Sequence, residues 1–264
     1  MNTKKLTIIG IIIIVIVLVV ILLKRVIKIE FSRSDKRIPA IKVSLNQDIT
    51  LTSCGAVFAH FGSADFFPSG MKIEMKNKII YVDPIVVDNP IKADYIFITH
   101  AHQDHFSIDD IEKLAKDDTW IICPKKVAKK LGDYQVRQVT PGDVLELDGI
   151  GCEAVAAYSK GFPTHPKSND NVGYVLTIGD ERIYFSGDTD LIPEIKTLED
   201  ITVAIVPIDG GNLTMSTNDA ILLVNMLSPR IAIPTHYELE KNSTEMFKKM
   251  VNEETEVIIL SDQK

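Results

Sequence analysis

The sequence predicts an α/β (α+β) domain in which two β-sheets pack together with helices outside them, preceded by one N-terminal transmembrane helix. Three observations predict this arrangement. Short β-rich segments follow one another in long runs with few helical segments between them, which favours two sheets over one doubly wound parallel sheet. The 264 residues, 45% of them hydrophobic and 25% charged, suit one sizeable domain. An uninterrupted apolar run near the N-terminus predicts the additional helix.

The apolar run covers residues 6–23, which are eighteen residues without a charge. As a helix it would span about 27 Å, close to the hydrocarbon thickness of a membrane. The run continues directly into Lys24 and Arg25 without the small-residue pattern of a cleavage site, so an uncleaved anchor is favoured over a signal peptide. We therefore predict a single-pass membrane protein.

Charge is divided unevenly along the chain. Residues 1–37 contain eight Lys or Arg and two acidic residues, whereas the rest contains 21 basic and 34 acidic residues. Most of the basic residues in the first part follow the apolar run, so the positive-inside rule places the C-terminal domain in the cytoplasm. Three cysteines without a CxxC pair predict free thiols, in agreement with that compartment. An acidic domain repels phosphate backbones, so nucleic acid is not an expected partner. The predicted organisation is an anchor and basic linker at 1–40 and a folded domain at 41–264.

The secondary structure follows from the apolar patterns in order. Residues 79–82 are predicted as a strand that the following Asp-Pro pair ends, because proline cannot continue a central ladder. Residues 94–99 form the next apolar strand, and a capping box of Ser107 and Asp110 predicts a helix to about residue 116. The remaining predicted elements are strands at 120–123, 144–147, 152–157, 173–178, 182–186, 203–206, 231–233 and 256–260, and helices at 218–227 and 243–251.

Three of the six histidines lie in one short segment, His-Ala-His-Gln-Asp-His at 100–105. The segment follows a predicted strand and precedes a helix cap, so it occupies a connecting loop. Side chains two residues apart on extended backbone point the same way, so His100 and His102 can face one cation while Asp104 and His105 face a second. Imidazole and carboxylate ligands suit zinc, and also manganese or iron. The predicted cofactors are therefore two divalent metal ions.

This segment resembles the His-x-His-x-Asp-His signature of the metallo-β-lactamase superfamily, and later motifs occur in the order which that family shows. The resemblance covers about residues 50–260. It is closest to the branch that contains ascorbate-6-phosphate lactonase and the N-acylphosphatidylethanolamine-hydrolysing phospholipase D. It implies a four-layer αββα sandwich. The later motifs are Pro-Thr-His-Pro at 163–166, Phe-Ser-Gly-Asp-Thr-Asp at 185–190 and Pro-Thr-His-Tyr at 234–237.

The resemblance also implies which residues bind the two metals. Each metal would have three ligands of its own, and one aspartate would lie between the two. The implied ligands are His100, His102 and His165 for the first metal, Asp104, His105 and His236 for the second, and Asp188 for both.

Further residues around this site are candidates for orienting the ligands or lining the substrate pocket. Asp83 resembles an aspartate that orients the histidine loop, which makes physical sense because ligating imidazoles need a partner on the other ring nitrogen. The alternative is that Asp83 is only a turn residue before Pro84. His60 and Tyr237 are candidates for the substrate pocket, with a structural role as the alternative for His60. Three apolar residues form either a flap or part of the core: Phe66, Phe67 and Met71.

The resemblance implies a metal-dependent hydrolase. A hydroxide shared by the two metals would attack an ester, lactone or phosphodiester, with Asp104 orienting it. The expected substrate is a small molecule or a lipid-like molecule. Two alternatives stay open, which are a di-iron oxidoreductase of the same fold and a non-catalytic, membrane-anchored metal-binding sensor.

Overall fold

The structure, a computed structural model, describes residues 31–33, 38–54, 57–59, 64–161, 164–211 and 213–261. The apolar run at 6–23 and His60 lie outside these residues. None of the helices in the described ranges has the length and hydrophobicity of a transmembrane segment.

The first of two seven-stranded sheets is built from the N-terminal half of the described chain. Its four C-terminal strands run parallel, and the remaining strands pair antiparallel at one side. From edge to edge it contains β10 (Gln135–Val139), β9 (Trp120–Pro124), β8 (Tyr95–Phe97), β7 (Lys78–Val82), β6 (Met71–Met75), β3 (Ile49–Ser53) and β2 (Lys42–Ser44).

The second seven-stranded sheet is built from the C-terminal half, again with antiparallel strands first and parallel strands last. It contains β11 (Val144–Leu147), β12 (Ile150–Ala156), β13 (Val172–Ile178), β14 (Glu181–Phe185), β15 (Val203–Pro207), β16 (Ile231–Thr235) and β18 (Glu256–Val257). A smaller sheet contains β1 (Phe31–Arg33), β4 (Val57–Ala59), β5 (Ala64–Phe67) and β17 (Tyr237–Glu238).

The described helices lie outside the two large sheets. They are α1 (Ile108–Leu114), α2 (Lys125–Ala128), α3 (Thr217–Leu227) and α4 (Ser243–Met250), with 3-10 turns at Lys167–Asn169 and Glu194–Thr197.

Successive side chains of a strand point alternately into the core between the two sheets and toward the helices outside them. In β8, Tyr95 and Phe97 belong to the core between the sheets, whereas Ile96 belongs to an outer cluster with Ile111 and Leu114 of α1. Successive strand residues point to opposite faces, so an all-apolar strand indicates a sheet that is covered on both sides. On the other side α3 packs on β15 and α4 packs on α3. The predicted fold of two sheets with helices outside is confirmed.

The sequence located most of the later elements to within three residues at each end. It missed the strands β2 to β6, the four-residue helix α2, and the strands β10 and β17. These elements are short, and polar or charged residues interrupt the apolar pattern of most of them. The strand β1 lies within the stretch predicted as a linker. The three cysteines are free and buried, as predicted.

The parallel strands bring the site residues to one edge of the sheets. Asp83 follows β7, the histidine loop follows β8, Asp188 follows β14 and His236 follows β16. Loops at the carboxyl ends of parallel strands meet at the same edge, where α/β proteins commonly place their ligands.

Candidate metal centre

Asp83 holds the histidine loop in place through hydrogen bonds to Thr99 and His105. Its backbone has a φ of 45°, and its side chain is buried. Oδ1 accepts a hydrogen bond from the backbone N–H of Thr99 at 2.8 Å, and Oδ2 accepts one from the Thr99 hydroxyl at 2.7 Å. Oδ2 also lies 2.8 Å from Nδ1 of His105. A proton on that nitrogen leaves Nε2 of His105 free to face the site, so Asp83 selects the ring tautomer. Asp83 thus has the orienting contact that the family resemblance implies, at a turn.

The first cluster of donors, called here the three-histidine group, consists of His100, His102, His165 and Asp188. Nδ1 of His102 lies 3.1 Å from Nε2 of His100 and 3.0 Å from Nε2 of His165. Oδ2 of Asp188 lies 3.3 Å from Nε2 of His165. A tetrahedral zinc ion with bonds of about 2.0–2.1 Å to nitrogen separates its ligands by roughly 3.3 Å, so these spacings fit a cation.

The outward nitrogens of this group are supported by neighbouring residues. Nδ1 of His100 lies 3.0 Å from the Thr99 hydroxyl. Nδ1 of His165 lies 3.1 Å from the carbonyl oxygen of Leu213 and 3.2 Å from the hydroxyl of Ser159, which itself donates to the same carbonyl. These contacts orient Nε2 of both rings toward Asp188.

The second cluster, called here the mixed group, consists of Asp104, His105, His236 and again Asp188. Nε2 of His236 lies 3.2 Å from Oδ2 of Asp104, and Nε2 of His105 lies 3.1 Å from Oδ1 of Asp188. His236 has a φ of 50°, which is rare for a residue with a Cβ and is typical of functional sites where surrounding structure imposes it.

Several donor atoms of the mixed group are buried without a hydrogen-bond partner in the described part of the chain. They are Asp104 Oδ1, His105 Nε2 and Asp188 Oδ1. Nε2 of His105 and Oδ1 of Asp188 are close, but they lack the geometry of a hydrogen bond. Buried polar atoms are rarely left unpaired, so such a concentration indicates a missing ligand. The nitrogen and carboxylate donors fit a divalent cation.

Burial and mutual charge set the protonation of these side chains. Burial, and then the neighbouring His105, lower the pKa of His100 well below its ordinary value. Burial alone would raise the pKa of Asp188, but His105 and His236 outweigh it and hold that pKa well below the ordinary value. Burial alone would lower the pKa of His105, but Asp188 and Asp104 outweigh it and raise that pKa. The mixed group therefore attracts positive charge, which a proton supplies in the metal-free protein and a cation would replace.

Gly187 allows the strand end that carries Asp188 to approach the histidine loop. Its φ is 58°, and a Cβ at this position would lie 2.9 Å from the Cβ of Thr99. A larger residue would be strained and would displace Thr99, so the glycine is required by both conformation and space.

The structure brings all seven sequence-predicted ligands together in these two groups. It does not support a pocket role for Tyr237, which is buried, stacks on Phe67 and donates to Ser261 Oγ. Phe67 and Met71 belong to the core, whereas Phe66 lies beside the ring of His236. Sequence reasoning missed Ser159 and the Leu213 carbonyl, because no pattern marks a contact between such distant residues.

Similar proteins are known at both the sequence and the structure level. A family model described as "Beta-lactamase superfamily domain" matches residues 68–236. A metal-dependent hydrolase of family UPF0173 from Thermococcus onnurineus is 31% identical over 202 residues, covering 70% of this chain and 89% of the relative. A crystal structure described as a metal-dependent hydrolase from Parabacteroides distasonis is 31% identical, with a TM-score of 0.70 over 86% of this chain and 100% of that chain. The fold is shared with CmlA, a diiron β-hydroxylase from Streptomyces venezuelae, at 13% identity and a TM-score of 0.60 over 74% of this chain and 52% of that chain.

Proposed function

The chain belongs to the β-lactamase superfamily of metal-dependent hydrolases, and we propose that it uses two divalent cations to hydrolyse an ester, lactone or phosphodiester. The observation that carries the proposal is the convergence of two donor groups that share one aspartate. Cations bound there would lower the pKa of a shared water molecule, supply the attacking hydroxide and polarise the scissile group. Zinc suits the donors best, with manganese and iron as alternatives.

The side chains of this chain would divide the remaining work. Asp188 would join the two groups, because its Oδ2 lies 3.7 Å from Nε2 of both His100 and His236. Asp104 would orient the attacking water and accept its proton, and the support for this role is its one buried oxygen without a partner among the described residues. The tautomer of His105 would be held by Asp83 throughout.

The test uses the full chain in a non-ionic detergent, loaded with zinc or manganese. Lactones, phosphodiesters and N-acyl phospholipids are supplied as separate substrate classes, and products identify the bond that breaks. The variants His102→Ala and Asp188→Ala are assayed beside the parent. Hydrolysis that depends on metal and is lost in both variants is expected. Hydrolysis that survives both substitutions would exclude this site.

The fold shared with CmlA makes di-iron oxygen chemistry the second candidate. The two donor groups contain no acidic residue beyond Asp104 and Asp188 in the described chain, which favours hydrolysis. The metal content of the purified protein, together with oxygen consumption of the iron-loaded form, distinguishes the two. Iron-dependent oxygen uptake without ester hydrolysis would select the oxidoreductase.

We also propose that residues 6–23 anchor the protein in a membrane with the catalytic domain in the cytoplasm. The support is the uncharged apolar sequence and the basic residues that follow it. Fractionation with alkaline extraction is expected to leave the full chain in the membrane pellet, and protease added to intact cells is expected to spare the domain. Release by alkali would exclude the anchor.

A further inference from the structure

The helix α2 lies at the same sheet edge as the candidate metal centre. It begins directly after β9, and β9 runs parallel to β8, whose carboxyl end continues into the histidine loop. The backbone N–H of Ile98 donates to the carbonyl of Ile122 at 2.9 Å, so the two chain segments stay adjacent as they leave the sheet. The exposed side chains of α2 therefore lie beside the histidine loop.

What α2 and the following turn present is positive charge. Four exposed lysines lie within six residues, and none of them forms an ion pair with an acidic side chain in the described part of the chain. We call these residues the lysine rim: Lys125, Lys126, Lys129 and Lys130.

Two lysines of the rim contact the loops that carry the donor groups. Nζ of Lys130 lies 3.5 Å from the carbonyl oxygen of Ala101, between two of the site histidines, and 5.5 Å from the centre of the Phe106 ring. Nζ of Lys126 donates to Oδ1 of Asn169, which lies four residues after His165. The rim therefore borders both the histidine loop and the loop of the third histidine.

The local charge is opposite to that of the surrounding domain. From residue 38 onward the chain has 21 basic and 34 acidic residues, so a uniform surface would repel an anion. Unpaired lysines concentrated next to a reaction centre attract anions toward it and raise their encounter rate, by an amount that falls with ionic strength.

We propose that the lysine rim is a binding subsite for an anionic group of the substrate, a phosphate or carboxylate outside the bond that is cleaved. This inference rests on the proposed hydrolase and adds the substrate class. The same chemistry is found in a soluble anionic ester and in the headgroup of an anionic lipid, and the experiment separates these two sources.

The central test uses the full metal-loaded chain and compares two esters that share the 4-nitrophenol leaving group. They are 4-nitrophenyl acetate, which is neutral, and mono-(4-nitrophenyl) succinate, which carries a free carboxylate. In a variant with all four rim lysines changed to glutamine, kcat/KM for the succinate ester is expected to fall roughly three- to tenfold at low salt. The acetate ester is expected to change by less than about twofold, since a neutral substrate is not steered. A variant with the four lysines changed to arginine keeps the charge and is expected to keep the preference.

A matched control removes the same charge elsewhere. Its four substitutions to glutamine are at exposed lysines that contact neither the histidine loop nor the segment 165–169 in the described structure, and they are placed at Lys76, Lys92, Lys248 and Lys249. The control is expected to keep the preference for the succinate ester. An equal loss of preference in the control would show a net-charge effect and would overturn the subsite. The proposal would also be overturned if the rim variant lost metal and kcat/KM fell equally for the two esters. The lysines would then only support the loops that carry the donor groups.

Two inhibitors separate the sources of the anion. Inorganic phosphate and detergent micelles containing phosphatidylglycerol are added to the succinate assay, with micelles containing only phosphatidylcholine as the neutral reference. If phosphate inhibits the parent but not the glutamine variant, the substrate is a soluble anion. If only phosphatidylglycerol inhibits in this rim-dependent way, the substrate carries a lipid headgroup. Inhibition that is the same in the parent and the rim variant would contradict the proposal.

A binding measurement tests the subsite independently of catalysis. Inorganic phosphate is titrated into the metal-free full chain, and backbone amide shifts of residues 125–130 are followed by NMR. Saturable shifts that vanish in the glutamine variant and persist in the arginine variant are expected. Absence of shifts in the parent would overturn the subsite even if hydrolysis is found. Shifts without hydrolysis of any ester would instead overturn the proposed function and leave the anion site standing.

Discussion

Two buried aspartates at the site edge, Asp83 and Asp188, differ in what satisfies their oxygens. Both oxygens of Asp83 accept protein hydrogen bonds, two from Thr99 and one from His105. Asp188 instead lies within 3.7 Å of ring nitrogens of four histidines, and its Oδ1 has no hydrogen-bond partner in the described chain. The comparison separates a carboxylate that positions other groups from one that is arranged to bind a cation.

The difference has an energetic consequence. A buried charge with its hydrogen bonds made is tolerated, whereas a buried oxygen without a partner costs about 1–3 kcal/mol. The oxygens of Asp83 are therefore satisfied in the metal-free protein, while those of Asp188 are satisfied only when positive charge is supplied. Substitutions at the two positions should fail in different ways.

The largest expected effect is at Asp188, because it contributes to both donor groups. In Asp188→Asn we expect less than one tightly bound metal per chain and a fall in kcat/KM of about 10³-fold or more, since each 1.36 kcal/mol is tenfold and a bound cation contributes several kcal/mol. Elemental analysis after dialysis and the ester assay measure both. His102→Ala, which alters only the three-histidine group, should keep metal in the mixed group. Retention of two metals in Asp188→Asn would remove the distinction between the aspartates.

Removal of metal should have the next largest effect. A ligand that binds only the folded state at 100 to 1,000 times its Kd stabilises it by about 3–4 kcal/mol. We therefore expect a chelator to lower the melting temperature of the zinc-loaded chain by several degrees, reversibly, without unfolding the sandwich at room temperature. In Asp188→Asn the chelator should change the melting temperature little. An equal decrease in that variant would mean that metal stabilises the fold elsewhere.

The sequence predicted the candidate metal-binding residues, but it did not determine which residues orient them. The segment at 100–105 and the separate motifs around His165, Asp188 and His236 were recognisable because ligand residue types occur at characteristic spacings. The role of Asp83 stayed open, since an Asp-Pro pair after a strand is also an ordinary turn. The contact of His165 with the Leu213 carbonyl depends on how two loops pack, and the burial of Tyr237 depends on the side chain stacked against it. Local patterns thus predict the donors, while the groups that orient them require the fold.

Asp83→Asn should sharpen the comparison because it preserves shape and removes charge. If the amide NH₂ faces Nδ1 of His105, the ring proton is favoured on Nε2, which blocks that nitrogen as a ligand. We expect metal affinity in the mixed group to fall about 10- to 100-fold, the usual effect of losing such a partner, while the three-histidine group keeps its affinity. A competitive zinc titration should then resolve one tight and one weak site.

Asp110→Asn is the control for Asp83→Asn. Asp110 is also buried and accepts from the backbone N–H groups of Val86 and Val87, but it belongs to neither donor group. Its substitution should lower stability without making the two metal sites unequal. If Asp110→Asn weakens the mixed group as much as Asp83→Asn does, general destabilisation would explain both and the specific role of Asp83 would be lost.

The smallest expected effect is at Thr99, whose hydroxyl supplies one of the three hydrogen bonds to Asp83. Thr99→Val keeps the backbone N–H bond and the side-chain shape, so we expect a loss of about 1.5 kcal/mol in the free energy of unfolding, the lower end for a hydrogen bond to a charged group. Denaturant unfolding of the metal-free chain measures this loss. The matched control is Thr52→Val, because Oγ1 of Thr52 is buried without a partner in the described residues and its removal should be neutral or stabilising. Equal losses at Thr99 and Thr52 would mean that the hydroxyl bond to Asp83 adds nothing beyond the packing of a buried threonine, and Asp83 would then position the loop through the backbone N–H of Thr99 and through His105.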